Sequence, residues 1–256
     1  MPPSRVAFEI TRGLARITFI NPARHNAMDL QFCNELADAA TRCASAPGLK
    51  AVLIAAAGDV FCVGGDIKEF VANRERLREH VLTTAAQFHV AVARLHHLSA
   101  PLIVAVNGTA AGGGFSMVCA ADLAIAKRSA KFNPAYTRSG LTPDGGGTWF
   151  LTRIVGWRRA FEIFATNPTL GADDACALGI VSRVVDDTEF DAEVARIARQ
   201  IEDGPAGALC ALKRLVRKSL TASLDEHLEA EAVSIATQAD LPETQDRLAA
   251  FLGRSK

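Results

Sequence analysis

The chain has 256 residues, 49% hydrophobic and 22% charged, which suits one large domain or a core with a smaller appendage. Lys plus Arg equals Asp plus Glu at 28 each, and this zero net charge argues against a general nucleic-acid or membrane-surface binder. The opening Met1-Pro2-Pro3-Ser4-Arg5 has no apolar signal region, no run reaches the ~18 apolar residues of a membrane span, and the six cysteines show no C-x-x-C spacing, so a cytoplasmic protein with reduced thiols and no metal is expected.

Val6–Ile10 and Ala15–Ile20 are β-prone runs around Thr11-Arg12-Gly13-Leu14, which reads as a hairpin. From Asp29 to Ala46 the residues Leu30, Cys33, Leu36, Ala37 and Ala40 recur at helical spacing behind an N-cap aspartate. Ala51–Ala57 and Leu102–Val106 are continuous apolar runs that suit buried strands. Between them lie a helix over Asp66–Asn73 and a longer one over Glu75–Leu98. Gly112–Ala121 reads as a helix entered through glycines, and Leu123–Ala126 as a further strand.

Strands therefore alternate with helices to about residue 135, which predicts an α/β fold with crossover connections. The remainder reads as helices over Thr148–Ile154, Trp157–Thr166, Asp173–Leu178, Asp191–Glu202, Ala206–Leu220 and Leu224–Gln238, interrupted by one strand at Ile180–Val185. Polar breaks at Asp186-Asp187-Thr188 and Asp203-Gly204-Pro205 divide a core over 1–187 from a C-terminal helical region over 188–256.

Three glycine-rich elements carry the chemistry. In Phe61-Cys62-Val63-Gly64-Gly65-Asp66-Ile67 the glycines let backbone approach a ligand, and Asp66 can cap the following helix. A tight connection with no ligand explains those residues as well. In Val106-Asn107-Gly108-Thr109-Ala110-Ala111-Gly112-Gly113-Gly114 three glycines precede a helix, whose free N–H groups favour negative charge. No Lys follows, so this is not a phosphate loop, and no acidic residue stands where a dinucleotide site needs one. Two glycine turns, each after a buried strand, can instead supply one N–H each to an oxyanion hole. In Leu141-Thr142-Pro143-Asp144-Gly145-Gly146-Gly147-Thr148-Trp149, Asp144 either stabilises a turn or presents a carboxylate to a pocket.

These elements, with Arg24-His25-Asn26-Ala27-Met28, Ala105–Ala126 and Lys131–Val185, resemble the crotonase (enoyl-CoA hydratase/isomerase) superfamily over about Val6–Leu252. The resemblance implies a spiral of β-β-α turns with a C-terminal helical trimerisation region, assembled as a homotrimer or homohexamer. It implies an acyl-CoA substrate with no separate bound cofactor, since coenzyme A is part of that substrate. The two backbone donors match Gly65 and Gly113, flanked by Gly64 and Gly112. Arg24 matches a position that meets CoA phosphates, Ala27 one that borders pantetheine, and Asp66 and Ile67 the turn beside adenine. Phe251 and Arg254 fall where a neighbouring subunit reaches CoA in some members.

The departures from the family pattern bear on the reaction. The two hydratase glutamates fall at Ser116 and Tyr136 here, and neither is a general base at neutral pH, since Tyr titrates near ~10. Poor hydratase activity is therefore expected. Around Asp144 the sequence is similar to the ring-type enoyl-CoA isomerases of phenylacetate degradation and to 4-chlorobenzoyl-CoA dehalogenases. The first similarity implies Asp144 as the acid/base of a double-bond shift. The second implies Asp144 as nucleophile, His89 as the base that activates water, and Tyr136 at an active-site tryptophan position, giving dehalogenation or thioester hydrolysis. A lone helical His89 also reads as a packed or surface residue. A third reading is a non-catalytic acyl-CoA-binding protein.

Overall fold

The computed structural model describes residues 3–253. Strands β1 (Val6–Thr11) and β2 (Leu14–Phe19) form the expected hairpin, antiparallel with Val6 opposite Phe19. On β2 the alternate residues Ala15, Ile17 and Phe19 are fully buried, as the period of two in a strand requires. The sheet continues in parallel through β3 (Ala51–Ala56), β5 (Leu102–Val106), β7 (Leu123–Lys127) and β10 (Arg183–Val185), in the order β1-β2-β3-β5-β7-β10.

Both faces of this sheet are covered, which is why β3 and β5 are apolar throughout rather than alternating. Val52, Ile54, Val104 and Val106 enter the main core beneath α1 (Leu30–Ser45) and α3 (Leu77–His97). Leu53, Ile103 and Ile125 point the other way, onto Phe190, Val194 and Ile201 of α8 (Phe190–Glu202). The start of α1 is set by Asp29, whose carboxylate accepts the Phe32 N–H at 2.7 Å.

A second sheet stacks four very short strands in the order β4-β6-β8-β9: Val60–Cys62, Thr109–Ala111, Lys131–Asn133 and Leu170–Gly171. β4, β6 and β8 are parallel, and β9 closes the sheet antiparallel. From β3 to α6 each turn of the chain lays one strand in the large sheet, one in the small sheet, and then continues as helix. α2 (Ile67–Ala72) and α3 follow β4, and α4 (Gly113–Cys119) follows β6. The result is a spiral of β-β-α turns.

The rest of the chain is α5 (Gly147–Val155), α6 (Trp157–Thr166), α7 (Ala172–Ala177), then α8, α9 (Ala206–Lys218), α10 (Leu224–Ala239) and α11 (Pro242–Gly253). The strand expected from Ile180 starts only at Arg183, because Ile180 and Val181 turn inward after α7 and are buried at 3% and 1% exposure. The boundary expected at 187/188 falls just before α8. Among the described residues, α10 and α11 bury no side chain, and Leu224, Leu228, Val233, Ile235 and Leu248 are exposed. Phe251 is exposed on α11, and Arg254 lies outside the described residues. Among the described residues no helix is long and apolar enough to cross a membrane.

Candidate active site

The small sheet and the glycine turns build one cavity. Asn26 is fully buried and ties Arg24–Met28 to the β3–β4 connection, donating to the Ala57 and Val60 carbonyls at 3.1 and 2.9 Å. Met28 then runs parallel to Gly65: its N–H donates to the Gly64 carbonyl at 2.8 Å, and its carbonyl accepts from the Asp66 N–H at 3.2 Å. In such a bridge the intervening Gly65 N–H points to the opposite side. Gly113 is the first residue of α4, where a helix leaves its N–H groups without intrahelical acceptors. Among the described residues neither the Gly65 nor the Gly113 N–H meets an acceptor. The two turns touch: a side chain on Gly64, which has φ +85°, would stand 2.9 Å from the Gly113 nitrogen.

The cavity between them has a volume of about 40 Å³ and is lined by Met28, Cys33, Gly65, Phe70, Gly113 and Asp144, with Thr84 and Phe88 of α3. Asp144 is held on a turn whose carbonyl accepts the Gly147 N–H at 2.9 Å. Gly145 has φ +59°, and a Cβ there would lie 2.2 Å from the Phe88 ring, so the turn is pressed onto α3 where no side chain fits.

Behind Asp144 stands a buried hydrogen-bond chain. The Tyr136 hydroxyl donates to Asp144 Oδ1 at 2.6 Å and lies 3.0 Å from Ser116 Oγ. Tyr136 has one proton and gives it to the carboxylate, so Ser116 donates to Tyr136. Burial, the charge of Asp144 and that hydrogen bond raise the Tyr136 pKa well above its ordinary value, so the hydroxyl remains a donor. Asp144 Oδ2 has no partner among the described residues. Ser116 and Tyr136 thus hold Asp144 through its Oδ1, Tyr136 directly and Ser116 through Tyr136. Burial first, then the negative charge of Asp144, pushes the Cys33 thiol up, which rules it out as a thiolate nucleophile at neutral pH.

His89 lies elsewhere. It does not line the cavity but an adjoining cleft of about 860 Å³, with His96, Trp149, Arg153, Arg214, Arg217 and Lys218. Its Nε2 accepts the Gly145 N–H at 3.1 Å, so the ring holds the back of the Asp144 turn. His96, beside it in the cleft, is lowered to about 4 by partial burial and by the Arg217, His97 and Lys213 charges.

The residues expected to meet coenzyme A do not line the cavity. Asp66 is buried, caps α2 by accepting the Lys68 and Glu69 N–H groups at 3.0 and 3.2 Å, and pairs with Arg24. That leaves Arg24 half-buried beside the turn and Ile67 54% exposed, while Ala27 is buried with its N–H on the Arg24 carbonyl. Gly112 caps α4, with its N–H on the Asn133 carbonyl at 3.1 Å. Among the described residues no three of His, Cys, Asp and Glu gather as a metal site. The wall of α3 was not resolved into pocket and surface by sequence reasoning; the spacing Val81, Thr84, Ala85, Phe88 is its signal.

The comparisons with known proteins agree with this architecture. The sequence profile of the Enoyl-CoA hydratase/isomerase family matches residues 9–256. The chain is 34% identical to 4-chlorobenzoyl coenzyme A dehalogenase-2 of Arthrobacter sp over 98% of its length and 91% of the relative. It is 31% identical to 1,2-epoxyphenylacetyl-CoA isomerase of Escherichia coli (strain K12) over 87% of its length and 85% of the relative. The crystal structure of an enoyl-CoA hydratase/isomerase from Mycobacterium abscessus superposes with TM-score 0.92 at 31% identity, over 98% of this chain and 97% of that one. On sequence and on spiral alike, the chain belongs to the crotonase (enoyl-CoA hydratase/isomerase) family.

Proposed function

We propose that this protein is an acyl-CoA isomerase that shifts a double bond, with Asp144 as its single acid/base and Gly65 and Gly113 as the oxyanion donors. The observation that carries the reading is that two N–H groups without acceptors and one partly free carboxylate line the same cavity. The thioester oxygen takes both N–H groups, which lowers the energy of the enolate more than that of the ground state. Asp144 Oδ2 removes the proton that the thioester activates and returns it two carbons away on the same face. One carboxylate suffices for that sequence, whereas adding water needs a second base where Ser116 now stands.

A nucleophilic role for Asp144 is the second reading, and the similarity to dehalogenases over 98% of the chain favours it. The position of His89 counts against it, because its ring lines the adjoining cleft rather than the cavity and its Nε2 already accepts the Gly145 N–H. The assembly we propose is a homotrimer or homohexamer, in which the exposed apolar residues of α10 and α11 would be covered. The test is a mass-spectrometric screen of acyl-CoA substrates for double-bond shift, hydration, hydrolysis and halide loss, repeated with Asp144→Asn. A shift lost in the variant supports the isomerase. Incorporation of heavy oxygen from labelled water into Asp144 in a single turnover would replace it with covalent catalysis.

A further inference from the structure

We infer that the Thr84 hydroxyl selects acyl groups carrying an oxygen close to the reacting carbons, so that the substrate is an oxygenated acyl-CoA rather than a plain hydrocarbon one. The inference rests on the proposal that the cavity takes an acyl-CoA. Thr84 is 6% exposed, lines that cavity with Asp144, Gly65 and Gly113, and its Oγ1 has no hydrogen-bond partner among the described residues.

A helical threonine has a ready acceptor in the carbonyl four residues back. Thr41, Thr83, Thr166 and Thr237 all use it, at 2.6 to 2.9 Å, including the immediate neighbour of Thr84. Thr84 does not. It also heads the buried stripe of α3, whose other members are Phe88, Ala91, Val92 and Leu95. A valine of the same shape would fill that position without leaving a polar atom unpaired. Thr84 and Phe88 are the members of the stripe that line the cavity, and Thr84 is the one that brings a polar atom to it.

The cavity's 40 Å³ leaves room for about three water-sized groups. The acyl atoms that reach Asp144 are therefore the atoms that reach Thr84. The other side chains around them, Met28, Cys33, Phe70, Val81, Ala85 and Phe88, offer an acyl oxygen no strong donor. An ether, hydroxyl, epoxide or carbonyl oxygen on the first carbons beyond the thioester would accept from Thr84 and satisfy both groups in a dry site. A methylene there would leave the hydroxyl unpaired, and sites built around a hydroxyl reject analogues lacking its partner.

The test is binding of unreactive isosteric pairs, methoxyacetyl-CoA against butyryl-CoA and ethoxyacetyl-CoA against pentanoyl-CoA, to wild type, Thr84→Val and Thr84→Ser. At least one ether is expected to bind about tenfold tighter than its hydrocarbon partner to wild type and Thr84→Ser. Thr84→Val should abolish the preference while leaving the hydrocarbon affinity and the melting temperature equal or higher. Equal affinities within both pairs, or a Thr84→Val protein that loses all four ligands together or melts lower, would overturn the inference while acyl-CoA binding stood. Binding of none of the four by wild type would overturn the acyl-CoA reading, and this inference with it.

Discussion

Two concavities meet at the Asp144 turn, and they differ in every respect that bears on chemistry. The cleft behind the turn is about 860 Å³, with Arg153, Arg214, Arg217 and Lys218 on its walls. The cavity in front is about 40 Å³ and mostly apolar. Size points to the cleft. The inventory of unsatisfied groups points to the cavity, where two N–H donors, a carboxylate oxygen and a threonine hydroxyl lack partners among the described residues. In the cleft the polar groups are more engaged: Arg217 donates to the His96 carbonyl at 2.8 Å, Arg153 stacks 3.7 Å from the Trp149 ring centre, and His89 accepts from Gly145. Groups left unpaired in a small dry site are the ones that gain most when a substrate arrives.

The comparison breaks most visibly if Asp144 is dispensable. Asp144→Asn should lower turnover in the proposed double-bond shift by about 10³-fold, the middle of the range for a positioned base, with thioester binding kept. Steady-state kinetics and equilibrium binding on the same preparation separate the two effects.

Next in size is the chain behind the carboxylate. Tyr136→Phe leaves Asp144 Oδ1 and Ser116 without their partner, so a stability loss of about 1–3 kcal/mol is expected in denaturant titration. Turnover should fall less than in Asp144→Asn, because the base remains. Tyr136 is the single tyrosine of the chain, so phenolate absorbance reports on it alone. Its pKa is raised in the folded state, so the folded protein keeps this proton at a pH where the unfolded chain loses it. Stability from this group is complete below about pH 10 and declines as pH rises further. Phenolate should therefore appear only as the protein unfolds, and half-ionisation near pH 10 in folded protein would contradict the chain.

The cleft yields smaller effects. His96 is depressed from 6.5 to about 4, so between those values the unfolded chain takes up a proton that the folded one refuses. Stability should fall as pH drops through that window. His96→Phe, which keeps the ring beside Phe150 at 5.0 Å, should remove that part of the acid sensitivity in pH-dependent melting. Smallest of all, Arg214→Ala and Lys218→Ala should leave acyl-CoA affinity within about twofold, as surface charges remote from a ligand contribute little.

The larger sheet and nearly all the helices were legible in the sequence because length and periodicity are strong signals. The run Ala51–Ala57 and the Asp29 cap translate directly into β3 and the start of α1. The four strands of the small sheet were not legible. Val60–Cys62, Thr109–Ala111, Lys131–Asn133 and Leu170–Gly171 are two or three residues long and cannot display a period. They form because the large sheet and helices bring them together, and they set the two glycine turns side by side. α11 was missed because its first turn is polar and, among the described residues, it buries no side chain. The glycines and Asp144 could be named from spacing and resemblance. Which face of α3 meets them could not, since Thr84 and His89 sit five residues apart on one helix and reach different concavities.

The most direct measurement is amide NMR of the protein titrated with a saturated acyl-CoA that cannot react. The account predicts that the Gly65 and Gly113 amide protons move strongly downfield as they take the thioester oxygen, while the Gly146 amide beside the cleft changes little. Shifts confined to Gly146 and the α9 amides, with Gly65 and Gly113 unmoved, would contradict it.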